Sequence, residues 1–204
     1  MATERVVHVI DDDADVRQSL AFLLSAAGLA VRVHESALAF LENLPEVREG
    51  CVVTDIRMPG MDGLELQRRL AQNKVRLPVI VMTGHGDVAL AVEAMKAGAV
   101  DFIEKPFDDE VLLSAIRAAL NRQARDSERD ARAAAVQERI DRLSEREREV
   151  LDRLVAGKAN KVIAYELGIS PRTVEVYRAN VMTKMQADSL SELVRMALMD
   201  GGPA

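Results

Sequence analysis

The chain contains no tryptophan and a single cysteine, Cys51, among its 204 residues. One thiol excludes an internal disulfide, and with it a disulfide-stapled scaffold, so a reducing, cytoplasmic setting is expected. No apolar run approaches the length of a membrane span, so no membrane partner is expected. The first ten residues carry Glu4, Arg5 and His8, and a secretion signal is not expected there. Net basic charge is also missing where a nucleic-acid module would show it. Residues 143–204 hold nine Lys/Arg against nine Asp/Glu, and residues 123–142 hold five against five. The whole acidic excess lies in residues 1–122, with 13 basic against 19 acidic side chains. Charge alone therefore does not point to DNA. What is present is ample apolar material: 49% of the residues are hydrophobic, enough to fill the core of one large or two small domains.

Short β-branched runs recur through the first part: 6–10, 30–33, 51–54, 79–82 and 100–103. Their length and composition predict strands. Helix-period stretches lie between and after them, over 14–27, 36–44, 62–72, 87–97 and 108–120. Asp108 and Asp109 suit the start of the last. Five strand–helix alternations predict an α/β fold, a flavodoxin-like doubly wound parallel five-stranded sheet in the order 2-1-3-4-5. Near-continuous apolar strands fit burial on both faces.

Residues 121–142 contain no glycine or proline and alternate in charge. Val136, Ile140 and Leu143 fall at i, i+4 and i+7, so a helical charged linker is expected over 123–142, with a disordered tether as the alternative. From 143 onward the pattern is all-α, a four-helix arrangement. Ser144 with Glu147 forms a capping-box pattern. Helices are expected to about Ala156, over 160–167 up to Gly168, from Ser170-Pro171 to Met185, and over 189–199. The short connection Leu167-Gly168-Ile169-Ser170 suggests a helix-turn-helix.

Ligands of open parallel sheets sit beyond the carboxyl ends of the strands. There the chain places Asp11-Asp12-Asp13, Asp55, Thr83-Gly84 and Glu104-Lys105-Pro106. Carboxylates brought together repel unless a cation intervenes. Oxygen-only ligands favour a hard ion, Mg²⁺ above all. A carboxylate can attack phosphorus and carry an aspartyl-phosphate. Mg²⁺, Lys105 and Thr83 would then balance the charge on the phosphoryl oxygens. Each residue also has an ordinary use. Asp13 and Asp15 can be accounted for as caps, and Lys-Pro is a common turn. The coincidence of all of them at successive strand ends argues for a site.

The Asp-Asp after the first strand, TDIRMPGMDGLEL, MTGHGD and DFIEKPF resemble the receiver domain of bacterial two-component response regulators, over residues 4–120. The resemblance implies that Asp55 is the phosphoacceptor, assisted by Thr83 and Lys105. It implies that Asp12 and Asp55 bind Mg²⁺ directly, Asp11 through water, and the Arg57 backbone carbonyl as a further ligand. It further implies a cis Lys105-Pro106 peptide and an aromatic, Phe102, that swings together with Thr83. Arg57 and His85 would flank the path to the phosphoryl group. For His85, a general-base role and a plain exposed loop residue both stay open.

The stretch LSEREREVLDRLVAGKANKVIAYELGISPRTVEVYRANVMTKM resembles the LuxR-type four-helix DNA-binding module, over about 143–200. With its receiver and linker the whole chain resembles the FixJ family of nitrogen-fixation and microaerobic regulators. The recognition helix is expected at 171–185, with Val174, Val181 and Met185 as its core stripe. Arg172, Glu175, Val176, Ala179, Asn180 and Thr183 point the other way, toward base edges. Lys158, Asn160, Lys161, Thr173, Arg178 and Lys184 are phosphate candidates. Arg178 can equally pair with Glu145 or Glu149, and Tyr177 is expected to be partly packed. The function implied is a transcription factor, not an enzyme, that accepts a phosphoryl group from a sensor histidine kinase. Its further partners would be promoter DNA, RNA polymerase and, on phosphorylation, a second copy of the chain. Val92 and Lys96, one turn apart and outside the expected core stripe Val88, Ala91 and Met95, mark the dimer face. A Mg²⁺-dependent phosphohydrolase with an Asp nucleophile is the enzyme alternative. It needs a general acid near the nucleophile, and Ile56 and Arg57 follow Asp55 instead. A phosphorylation-independent DNA-binding protein with a decayed receiver is disfavoured by the complete acidic site.

Overall fold

The computed structural model describes residues 5–47, 49–84 and 88–199. The chain divides into two compact units, Met1–Asp126 and Ser127–Ala204. In the first, strands β1 (Val6–Ile10), β2 (Ala30–His34), β3 (Gly50–Asp55), β4 (Val79–Thr83) and β5 (Asp101–Glu104) alternate with helices. These are α1 (Ala14–Ala26), α2 (Ala37–Asn43), α3 (Gly63–Gln72), α4 (Val88–Lys96) and α5, which begins at Asp109. The strands form one parallel sheet in the order β2-β1-β3-β4-β5, the doubly wound arrangement that the alternation predicts.

Strand periodicity divides the core into two layers. Ile10, Val52, Val79 and Val81 face one side and pack with Phe40 of α2, Leu66 and Leu70 of α3 and Ala94 of α4. Val7, Val9, Cys51, Val53, Ile80 and Met82 face the other and meet Leu20 and Leu24 of α1 and Leu112 and Ile116 of α5. Central β3 and β4 are buried along nearly their whole length, whereas edge strands β2 and β5 are partly open. Cys51 lies in the second layer, and burial pushes its thiol up to about 12, so it is packing material rather than a nucleophile. The first layer also holds a buried imidazole pair. His8 Nδ1 lies 3.1 Å from His34 Nε2, and Phe40 meets both rings edge-on.

Helix α5 differs from the expectation. It runs without interruption over Asp109–Asp141, whereas the composition shift near 121 suggests one helix ending at 120 and a separate linker helix. Gln123, placed by that reading at the start of the linker, is buried, and its Oε1 accepts the Gly50 N–H at 2.9 Å. Helix α4 also differs. Its buried positions are Ala91 and Ala94, while Met95 is 42% exposed, and the Val88 side chain lies outside the described residues.

The second unit contains the end of α5, then α6 (Glu145–Val155), α7 (Asn160–Leu167), α8 (Pro171–Met185) and α9 (Leu190–Met199). Ser144 and Glu147 close both bonds of a capping box. Gly168 at φ +65° ends α7 in the left-handed region, where glycine costs least. Ser170 caps α8 ahead of Pro171. Val136, Leu143, Val150, Leu151, Leu154, Ile163, Val174, Val181, Met185 and Leu193 share one core.

Candidate functional site

The chemistry collects at the carboxyl ends of β1, β3, β4 and β5. Register sets Ile10 beside Thr54, Asp55 beside Met82 and Thr83 beside Glu104. The residues just past these pairs therefore converge. Lys105 Nζ donates to Asp55 Oδ1 at 2.6 Å and to Asp11 Oδ2 at 2.9 Å. Burial alone would lower the Lys105 pKa; the hydrogen bonds to Asp55 and Asp11, with their charges, outweigh it and raise the value. The Lys105 N–H donates to the Thr83 carbonyl at 2.7 Å, which ties β5 to the end of β4. Thr83 is buried, and the Lys105-Pro106 peptide is cis.

The acidic triplet divides its labour. Asp11 is buried, and its Oδ1 accepts the Asp13 N–H. Asp13 caps α1 by accepting from Asp15 and Val16, the ordinary use anticipated for it. Asp12 is exposed and lines a cleft with Ile56, Arg57, Pro59 and Asp62. Asp55 Oδ2 accepts the Arg57 N–H at 2.7 Å. That bond folds the chain sharply after β3, and Gly60 at φ +79° completes the turn.

Among the described residues no three acidic or imidazole side chains are already gathered as a metal cage. Mg²⁺ does not require one: it keeps several waters and takes one or two carboxylates plus phosphate oxygens. The donors at hand, carboxylate and backbone oxygens with no sulfur or imidazole, fit that hard ion. Lys105 now occupies one oxygen of Asp11 and one of Asp55.

Gly63, on which the sequence reading is silent, is part of this construction. A Cβ there would lie 2.5 Å from the Asp55 carbonyl oxygen, too close for any side chain. The Gly63 N–H also donates to the Ile56 carbonyl, so α3 starts hard against the strand that ends in Asp55. The only sequence signal is the Asp62-Gly63 start of α3, an N-cap followed by a residue without Cβ. His85 lies outside the described residues. Phe102 is 45% exposed on β5. Val92 and Lys96 both point to solvent from α4, and Met95 joins them there.

In α8 the buried positions are Val174, Val181 and Met185, and Arg172, Glu175, Val176, Ala179, Asn180 and Thr183 are exposed, which is the expected phase. Tyr177 packs partly against the core. The cationic candidates divide. Lys161 and Arg172 are exposed. Lys158 pairs with Glu166. Arg178 reaches Asn160 Oδ1 at 3.5 Å, rather than Glu145 or Glu149. Thr173 Oγ1 bonds the Ser170 hydroxyl. Lys184 pairs with Glu147 at 2.6 Å while its side chain stays partly exposed. The Glu147 carboxyl is held below the usual range by Lys184 and by the Ser144 N–H.

Comparison with known proteins agrees with this geometry. Residues 7–117 match the response regulator receiver domain, and residues 141–197 match the luxR family of bacterial regulatory proteins. The chain is 62% identical to the transcriptional regulatory protein FixJ of Azorhizobium caulinodans, over 96% of this chain and 92% of that protein. It is 58% identical to FixJ of Rhizobium meliloti, over 99% and 100%. Among solved structures, the response regulator StyR superposes with a TM-score of 0.87 at 40% identity, over 96% of this chain and 99% of that one. The chain therefore belongs to the FixJ family of response regulators, in which a receiver domain is joined to a luxR-type DNA-binding module.

Proposed function

We propose that Asp55 accepts a phosphoryl group from a sensor histidine kinase and that the modified chain dimerises and binds promoter DNA. The observation that carries the proposal is the Lys105 ammonium held between Asp55 and Asp11 at the strand ends. One Asp55 carboxylate oxygen attacks phosphorus, a P–O bond forms, and the P–N bond to the donor imidazole breaks. Lys105, released from Asp55 Oδ1, follows the charge onto a phosphoryl oxygen. The Thr83 hydroxyl donates to another. Asp12, Asp55 and the Arg57 carbonyl would hold Mg²⁺, with Asp11 acting through water. When bound, the ion neutralises the phosphoryl oxygens as charge develops.

Residues 1–122 would act as the receiver, 123–142 as the charged helical linker and 143–204 as the DNA-binding module. Thr83 moving toward the phosphate leaves room for Phe102 to turn inward from β5. That changes the surface shared by α4, β5 and the first turns of α5, where Val92, Met95 and Lys96 would meet a second copy. Lys161 and Thr173 are the phosphate-facing candidates, with Lys158, Asn160, Arg178 and Lys184 available once their internal contacts yield, and Arg172 lies on the base-facing side. Glu175, Val176, Ala179 and Asn180 would read bases. The setting would be cytoplasmic, the chain would have no turnover of its own substrate, and RNA polymerase would be the partner at the promoter. Activation of nitrogen-fixation and microaerobic genes is the role that kinship with FixJ supports.

The direct test is Asp55→Asn, which keeps the shape and removes the nucleophile. The variant should take up no label from a phosphorylated kinase or from acetyl phosphate. Stable, Mg²⁺-dependent labelling of that variant would assign the phosphoryl group to another residue.

A further inference from the structure

The last turns of α5 belong to the second unit, where Val136 is buried and Ile140 packs against the same core. From there two contacts reach the carboxyl end of α8. Arg139 Nη1 donates to the Met185 carbonyl at 3.1 Å. That carbonyl is among the last of its helix, which have no partner inside it, and a guanidinium there also suits the negative end of the helix dipole. One residue earlier, Lys184 Nζ lies 2.6 Å from Glu147 Oε2 and 3.4 Å from the Arg142 carbonyl. The Glu147 side chain is 5% exposed and also accepts from Ser144 N at the start of α6. Buried, paired carboxylates hold geometry because losing one partner strands the other charge.

We propose that Arg139, acting with the Lys184–Glu147 pair, is a positioning residue that fixes the carboxyl end of α8. The DNA-binding module is then complete only with the last turns of the linker helix. The proposal rests on reading α8 as the recognition helix. Neither Arg139 nor Glu147 lies on the exposed face of α8, so neither touches a base. Their effect is on the angle at which Val176 and Ala179 are presented. A 15-residue helix is about 22 Å long, so a tilt of about 5° about its carboxyl end displaces its start by about 2 Å and its middle, where Val176 and Ala179 lie, by about 1 Å. Close contact with base edges, apolar for Val176 and Ala179 and hydrogen-bonded for Glu175 and Asn180, is weakened by such an offset, whereas attraction to the backbone is not.

The test uses the full chain with acetyl phosphate and Mg²⁺, a duplex recovered by selection with the wild type, and a random-sequence duplex. Arg139→Gln should bind the selected duplex about tenfold more weakly, the size expected for one lost charge-assisted bond. Binding to the random duplex and the salt slope should be unchanged, and Arg139→Lys should recover part of the loss. A salt slope reduced by about 0.9, with equal loss on both duplexes, would make Arg139 a phosphate contact and overturn the proposal, as would wild-type affinity. Hydrogen exchange of the free chain gives a second readout. Amides 182–187 should exchange faster in Arg139→Gln, with α7 unchanged. No change, or a uniform rise across the unit, would overturn the positioning role. Failure of the wild type to select any sequence would instead remove α8 as a recognition helix, and the exchange result would still decide whether Arg139 holds its end.

Discussion

Acid should loosen the sheet that carries Asp11, through the His8–His34 pair. His8 sits on β1 and is 2% exposed, and His34 on β2 is 9% exposed. Burial first, then His34 and Arg32, lower the His8 pKa from 6.5 to about 4, and burial with Arg32 lowers that of His34. In the unfolded chain His8 takes its proton near 6.5, while the folded chain resists it. Stability is therefore complete above about pH 6.5, declines as pH falls through the window toward 4, and levels off below. At 1.36 kcal/mol per unit, His8 alone accounts for about 3 kcal/mol, a large share of a typical domain's stability. The measurement is urea unfolding followed on the Val7 and Val9 methyl resonances, which report the first unit by itself. Wild type and His8→Leu would be compared at pH 7.5, 5.5 and 4.5. The variant should lose the His8 share of the decline and keep that of His34. Equal declines in both proteins would show that His8 is not what acid attacks.

Gly63→Ala should shift α3 from the end of β3, because its Cβ would lie 2.5 Å from the Asp55 carbonyl oxygen. Phosphoryl uptake from acetyl phosphate should fall at least tenfold, and unchanged uptake would mean that α3 moves away without disturbing Asp55. Val92→Asp adds a charge to the exposed α4 surface and should leave phosphorylated protein monomeric in sedimentation, under conditions in which wild type should double in mass. Equal mass with and without the phosphoryl donor in wild type would replace dimerisation by relief of inhibition within one chain. Val176→Thr should change the base preferred at one position in a binding-site selection, and an unaltered preference would place another face of α8 against the bases.

Period and composition made much of this architecture legible. Strands β3 and β4 are buried on both faces and read as unbroken apolar runs, so their ends, and with them Asp55 and Thr83, stand out in the sequence. The end of the helix that begins at Asp109 was not legible. Composition changes near 121, but a helix needs no constant composition to continue, and this stretch lacks glycine and proline. What changes there is the surface it packs against, from Gly50 through Gln123 to the luxR-type core through Val136. Helix period alone allows several stripes, including one with Met95 inward. The structure buries the alanines Ala91 and Ala94 instead, and small side chains let α4 lie close. Contacts between distant residues left no local trace. His8 and His34 are 26 positions apart, Lys184 and Glu147 are 37 apart, and neither pairing follows from spacing. Asp11, Asp55 and Lys105 were legible as a group because parallel topology sends every strand end to the same edge.

The central claim is that Asp55, and no other acid in the cluster, receives the phosphoryl group. Protein treated with acetyl phosphate and Mg²⁺ can be reduced with borohydride, which converts an acyl phosphate to the alcohol, and then mapped by peptide mass spectrometry. The reduced residue should be Asp55 alone, and EDTA should abolish it. Reduction at Asp11 or Asp12, or equal modification without a divalent ion, would contradict the account.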